Sequence, residues 1–307
     1  MRITTLTLLL PLSGCFQANT MTDVLPDERI QVNLPVDDAA AKGLAKDERD
    51  WSSWYLFTAG TTENINTMIA SVLFWVDTIT TDYRPTYVDN DTNQATWGPW
   101  ATALDPVETL LWVNYDPSSD SHSWGFDQWP RDADQSASST VILGEIDPGA
   151  TREISSGHFE ADFTTIHELD PTEPATGLFA VDYDIHASGV TATATFTDFG
   201  PDSVTAEYAY DQTFEGDGQM DLMILADVNP ESGTGAEETW TTRSRWAATG
   251  AGRADILVTG GDLGDGTATI TECWSAAFEP VYYAESLSGT EQGDATLCAF
   301  ESADYPG

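Results

Sequence analysis

From about residue 95 onward, apolar and polar residues alternate with a period of two, which puts successive side chains on opposite faces of a strand. GHFEADFTTIH sets Phe159, Ala161 and Phe163 against His158, Glu160 and Asp162. LFAVDYDIH sets Phe179, Val181, Tyr183 and Ile185 against Asp182, Asp184 and His186. VTATATF and VTAEYAY repeat the pattern with Val190 to Phe196 and Val204 to Tyr210. Similar runs occupy 107–115, 122–129, 219–227, 238–247, 253–259 and 267–275. Turn-rich pieces such as DFGPD, EGDGQ and GGDLGDG separate them, so the pattern predicts an antiparallel meander with one covered face and one wet face.

Upstream the period is helical. Ile65, Met68, Ile69, Val72, Trp75, Val76 and Ile79 recur at three- and four-residue spacing, which predicts a helix over 61–80 with these side chains on its buried face. Thr61 or Thr62 supplies a cap and Glu63 a first-turn carboxylate. A shorter helix is expected over 43–57. The fold class is therefore mainly β (α+β): N-terminal helices, then an antiparallel meander of ten or more strands forming a barrel or a curved open sheet. No fixed-period repeat or change of composition divides it, so residues 43–307 read as one domain. Residues 15–42, polar and carrying Pro26 and Pro35, read as a tether.

Charge narrows the partners. The chain carries 51 acidic and 11 basic residues, a net charge of −40. Such a surface repels phosphate backbones, which excludes nucleic acid. The acids are spread along the chain, as in an adaptation of solubility or salt tolerance. A surface for a divalent cation or a cationic partner is the functional alternative. Eleven tryptophans argue for a substantial core.

The chain opens MRITTLTLLLPLSGC, with Arg2 before a ten-residue apolar run and then Leu12, Ser13, Gly14 and Cys15. The run is too short to span a bilayer and has the form of a targeting segment. Leu-small-small-Cys resembles the lipobox of bacterial lipoproteins. That resemblance implies cleavage of residues 1–14, a diacylglyceryl group on the Cys15 thiol and a membrane anchored through it. Phe16 stands where an aspartate would signal inner-membrane retention, which points to the outer membrane. With Cys15 lipidated, Cys273 and Cys298 remain as an even pair in an oxidising compartment, and a disulfide is expected. Residues 249–286, with Gly-Arg-Ala-Asp, Glu-Cys-Trp and Val-Tyr-Tyr, resemble a segment of uncharacterised acidic lipoproteins of myxobacteria-like bacteria. That family brings no activity with it.

The sharpest candidate chemistry is His158-x-Glu160-x-Asp162 with Asp182-x-Asp184-x-His186. Each trio shares one strand face. In an even register with Glu160 opposite His186 and Asp162 opposite Asp184, the six would converge on a divalent cation. The competing reading is a solvated polar face. DNDTN at 89–93 begins like a calcium loop but has Gln94 and Trp100 where Gly and Glu are required. GDGQMD and GGDLGDG fit hairpin turns better. Trp97, Trp100, Trp112, Trp124 and Trp129 suit either a core or a glycan platform. No nucleophile elbow, phosphate loop or dinucleotide fingerprint is present. Three functional readings stand, in this order of preference. The first is a non-enzymatic structural or interaction module of the cell envelope. The second is a carrier or sensor of an apolar ligand, with a pocket closed by the 61–80 helix. The third is a metal- or glycan-active enzyme.

Overall fold

The computed structural model describes residue 25 and residues 51–102, 104–227 and 235–304. Cys15 and the tether apart from Leu25 lie outside them. A helix α1 (Ser53–Asp82) precedes fifteen strands paired in strict chain order. These are β1 (Tyr87–Asp89), β2 (Gln94–Trp100), β3 (Val107–Asp116), β4 (Ser121–Pro130), β5 (Ser139–Ile146) and β6 (Ser155–Asp162). After a short helix α2 (Phe163–Leu169) come β7 (Leu178–His186), β8 (Gly189–Phe199), β9 (Val204–Thr213), β10 (Gly218–Ala226) and β11 (Glu238–Trp246). The series closes with β12 (Gly252–Gly260), β13 (Thr267–Trp274), β14 (Pro280–Glu285) and β15 (Thr290–Gly293). Every neighbouring pair is antiparallel, and the sheet is open, with β1 and β15 at its edges. Those edges are three and four residues long, which limits the unpaired ladder offered to another chain.

The expected alternation holds on β6 to β9. On β7, Phe179, Val181, Tyr183 and Ile185 are buried, while Asp182 and Asp184 face solvent. One segment departs from expectation. The β6 alternation stops at Asp162, whose side chain accepts from the Thr165 N–H and from its hydroxyl, and Phe163 opens α2. An N-cap aspartate thus overrides the strand pattern of FTTIH.

The two helices expected over 43–57 and 61–80 are, over the described residues, one helix of 30 residues, about 45 Å long. Its start is fixed twice. The Ser52 side chain accepts from the Tyr55 N–H. Glu272 on β13 receives the Ser52 hydroxyl and the N–H groups of Trp54 and Ser53, placing a carboxylate at the positive end of the helix. From there α1 runs along the inner face of the sheet. Thr58 bonds Ser244 of β11 at 2.7 Å, and Asn66 accepts from the Tyr208 hydroxyl of β9 at 3.0 Å. Asp77 lies 3.6 Å from Arg152 in the β5–β6 connection, and the Tyr83 carbonyl accepts from the Trp97 indole of β2. The stripe Tyr55, Ile65, Ile69, Leu73 and Val76 joins the sheet's inner side chains in one core, which also takes in Leu25, fully buried ahead of the helix. Trp75, expected on the buried face, is instead 63% exposed, and Met68, Val72 and Ile79 lie at the margin.

Four tryptophans are seated by glycines. Trp112 on β3 pairs with Gly125, Trp124 on β4 with Gly144, Trp246 on β11 with Gly218 and Trp274 on β13 with Gly252. In each pair a Cβ on the glycine would stand 2.3 to 2.7 Å from the indole ring. The rings therefore lie across the neighbouring strand where no side chain stands, and each fills the place of the residue it replaces.

Candidate functional site

The outer face of β5 to β8 carries the two predicted trios. The register is even, so all six side chains belong to one face, but its offset differs from the one needed for convergence. His158 stands opposite Asp182, Glu160 opposite Ala180 and Asp162 opposite Leu178. His186 pairs with Gly189 at the β7–β8 turn, where its ring nitrogen meets the Ser188 hydroxyl at 3.1 Å. Asp162 is committed to capping α2. Glu160 and His186, and Asp162 and Asp184, are thus separated along the strands. The expected six-residue cation site, His158, Glu160, Asp162, Asp182, Asp184 and His186, is not assembled. Among the described residues no three His, Cys, Asp or Glu side chains cluster as a metal would require. The α2 insertion accounts for the offset: the chain turns into a helix at Phe163 instead of continuing β6 to His167.

What remains is a shallow cleft of about 400 Å³ lined by Asp147, Ser156, His158, Asp182, Asp184, Thr191 and Thr193. Beneath it Gly157 faces inward, where a Cβ would lie 2.3 Å from the Glu145 carbonyl and 2.9 Å from the Tyr183 hydroxyl, so only glycine fits there. Ser156, His158 and Asp182 invite comparison with a nucleophile, base and orienting acid. The bonding differs, since the Ser156 hydroxyl donates to Asp147 at 2.6 Å and no hydrogen bond links His158 to Ser156 or Asp182. The nucleophile–base contact that defines such an assembly is missing. The Tyr183 hydroxyl beneath is held protonated far above the usual range by burial, so it is no base either.

The inner face is filled from within the chain. Phe179 stacks on Phe196 with ring centroids 4.8 Å apart, Phe159 meets Phe179 edge-on at 5.9 Å, and Trp124 follows at 6.2 Å from Phe159. At the other end Tyr55 of α1 stacks on Phe278 at 4.2 Å, and Ser52 N–H donates to the Phe278 carbonyl. Under the middle of α1, burial pushes the Tyr208 and Tyr210 hydroxyls up, partly offset by hydrogen bonding to Asn66. Of the tryptophans weighed as a glycan platform, Trp97, Trp124 and Trp129 are buried at 2% exposure or less, so they belong to the core. The loops weighed for calcium are turns. Asp89 accepts from the N–H of Asp91, Asn93 has φ +53°, and Glu238 accepts from the Asp262 N–H inside GGDLGDG.

The third constellation lies on the outer face of β11 to β13; its disulfide was expected from the sequence, and its arginine contacts were not. Cys273 and Cys298 form a disulfide with Cα atoms 5.4 Å apart. It ties the C-terminal segment 294–304 across the sheet. Arg253 grips Asp255 through two nitrogens at 2.9 to 3.0 Å, and Asp255 also accepts from Thr271 and the Ala303 N–H. Burial pushes the Asp255 carboxyl up, but these donors outweigh it and leave it below the usual range. The Arg245 guanidinium sits 4.6 Å from the Phe300 ring centroid, the Phe300 carbonyl accepts from Arg253, and Arg243 pairs with Asp304. Three of the chain's few cations are thus consumed in holding a strap. The signal was present in the spacing of Arg243, Arg245 and Arg253 in so acidic a chain, but strap and sheet are distant in sequence.

No helix among the described residues is long and apolar enough to cross a membrane. No family model matches the chain, and neither a curated protein nor a solved structure matches it.

Proposed function

We propose that the protein is a lipid-anchored envelope protein, attached through Cys15, most consistent with the outer membrane, and acting as an interaction module instead of a carrier or an enzyme. The observation that carries the choice against a carrier is the occupancy of the inner face: α1 fills it from Ser52 to Tyr83 through apolar contacts and bonds to Ser244 and Tyr208. An acyl chain would have to displace the chain's own helix. Against an enzyme stands the cleft, where serine, histidine and acid share a face without the bonds that would activate them. The lipobox at Leu12 to Cys15 supports the anchor, and the disulfide is in keeping with an oxidising compartment.

Native mass spectrometry of the detergent-extracted, lipidated chain tests the reading. The expected spectrum is a protein carrying its covalent lipid and one disulfide with no further stoichiometric adduct. A lipid-sized non-covalent adduct surviving gentle activation would establish the carrier. A stoichiometric metal would revive an ion site on the outer face.

A further inference from the structure

The long helix turns an unusual surface outward. Phe74 and Trp75 are 59% and 63% exposed. In a chain of net charge −40, no charged residue occurs between Asn64 and Val76. The outward face of α1 is therefore uncharged from Asn64 to Val76, with exposed Glu63 and Asp82 beyond its ends, where the outer face of the sheet carries rows of acids, among them Glu145, Glu160, Asp182 and Asp184. A neighbouring aromatic pair within a charge-free stretch of the helix suits the boundary between water and acyl chains, where Trp and Phe side chains settle.

The chain also limits how far this surface stands from a membrane. Leu25 is fully buried in the core, and Cys15 precedes it by ten residues. Ten residues reach at most about 36 Å fully extended, and a domain of this size has a radius of gyration of roughly 18 Å. An acyl anchor on Cys15 thus keeps Leu25, and the core around it, within that reach of the bilayer. One face of the domain is then turned to the lipid surface at short range. Anionic headgroups repel the acidic sheet face, and the neutral aromatic helix face is free to approach. Resting on the lipid-anchor reading above, we infer that the outward face of α1 lies on the membrane, with Phe74 and Trp75 at the headgroup boundary and the acidic sheet face turned to the aqueous side.

The test uses the full lipidated chain in phosphatidylethanolamine–phosphatidylglycerol vesicles, with a nitroxide on Ser71→Cys or Asn64→Cys of the helix, or on Thr195→Cys of the outer sheet face. All three positions are exposed, apart from the disulfide pair. The expected result is flotation with the vesicles, loss of relaxation by a water-soluble nickel chelate at 71 and 64, and full chelate access at 195. Flotation with 71 and 64 open to the chelate, or with 195 the protected position, overturns the orientation while the anchor stands. Failure to float removes the anchor reading and the orientation with it.

Discussion

Adding one methyl group at Gly144 tests the account of the core more sharply than removing a large side chain. In most strands, Gly→Ala is stabilising by roughly 0.5–1 kcal/mol, because glycine loses the most freedom on folding. Here the new Cβ would sit 2.3 Å from Cζ2 of Trp124 and 2.4 Å from Cε2, against the 3.5–4.0 Å of an ordinary carbon contact. The indole cannot retreat: Trp124 is fully buried, with Phe126 edge-on at 6.3 Å and Phe159 at 6.2 Å. Overpacking of this kind costs about 1–3 kcal/mol, and the upper end applies because the clash exceeds an ångström on two ring atoms. After the entropic gain, Gly144→Ala should lose about 2 kcal/mol, a fall in Tm of roughly 4–8 °C for a domain of this size. Gly252→Ala and Gly218→Ala, at 2.3 and 2.4 Å from Trp274 and Trp246, should behave alike. Gly60→Ala is the internal control. It lies inside α1 with nothing within 4 Å of its Cβ, so it should gain up to about 1 kcal/mol from helix propensity. Thermal unfolding followed by near-ultraviolet circular dichroism reads all four. A Gly144→Ala protein as stable as the parent, with Gly60→Ala behaving as expected, would refute the seating of tryptophans on glycines.

Further predictions follow from the polar contacts. Cys298→Ser opens a loop closed across 25 residues, worth roughly 3.5 kcal/mol in the chain-entropy model; hydrogen exchange should rise first in 294–304, and uniform exchange would contradict the strap. Glu272 is pushed up by burial, so its ionised form costs stability that falls away as pH rises from the usual glutamate value through the folded one. Glu272→Gln should flatten that decline and keep the cap, whereas Glu272→Ala should fray α1; equal effects in urea titrations would argue against a carboxylate at the helix start. Burial pushes the His122 imidazole down, so the native state holds fewer protons than the unfolded one below about pH 6.5 and stability should drop as the pH is lowered through that range. His122→Phe should remove that slope, and an unchanged slope would assign it elsewhere.

Most of the sheet was legible because period-two alternation directly encodes which side chains are buried. β8 reads Val190, Ala192, Ala194 and Phe196 against threonines, and the structure buries the first set. Strands without clean alternation escaped: β5 mixes Val141, Ile142 and Leu143, and β15 is four polar residues recognisable only by its partner. The break at Asp162 escaped because a cap is a local hydrogen bond that outweighs the pattern of the next five residues. The candidate cation site depended on register, which is set by the α2 insertion and not by the trios themselves. Parity was readable from burial, but offset was not. On α1 the periodicity located the helix, yet it assigned Trp75 to the core when the stripe turns away from it. Glycine–tryptophan seating and the arginine-held strap join residues on different strands, and no local pattern announces either.

The central claim is the anchor, and the N-terminal peptide tests it most directly. The full chain would be produced in a bacterium that processes lipoproteins, and the membrane fraction digested and examined by mass spectrometry. The account predicts a peptide beginning at Cys15 and carrying a diacylglyceryl group, with no peptide containing Met1. A chain that keeps Met1 with a free Cys15 thiol, or is cut at another residue, would contradict it.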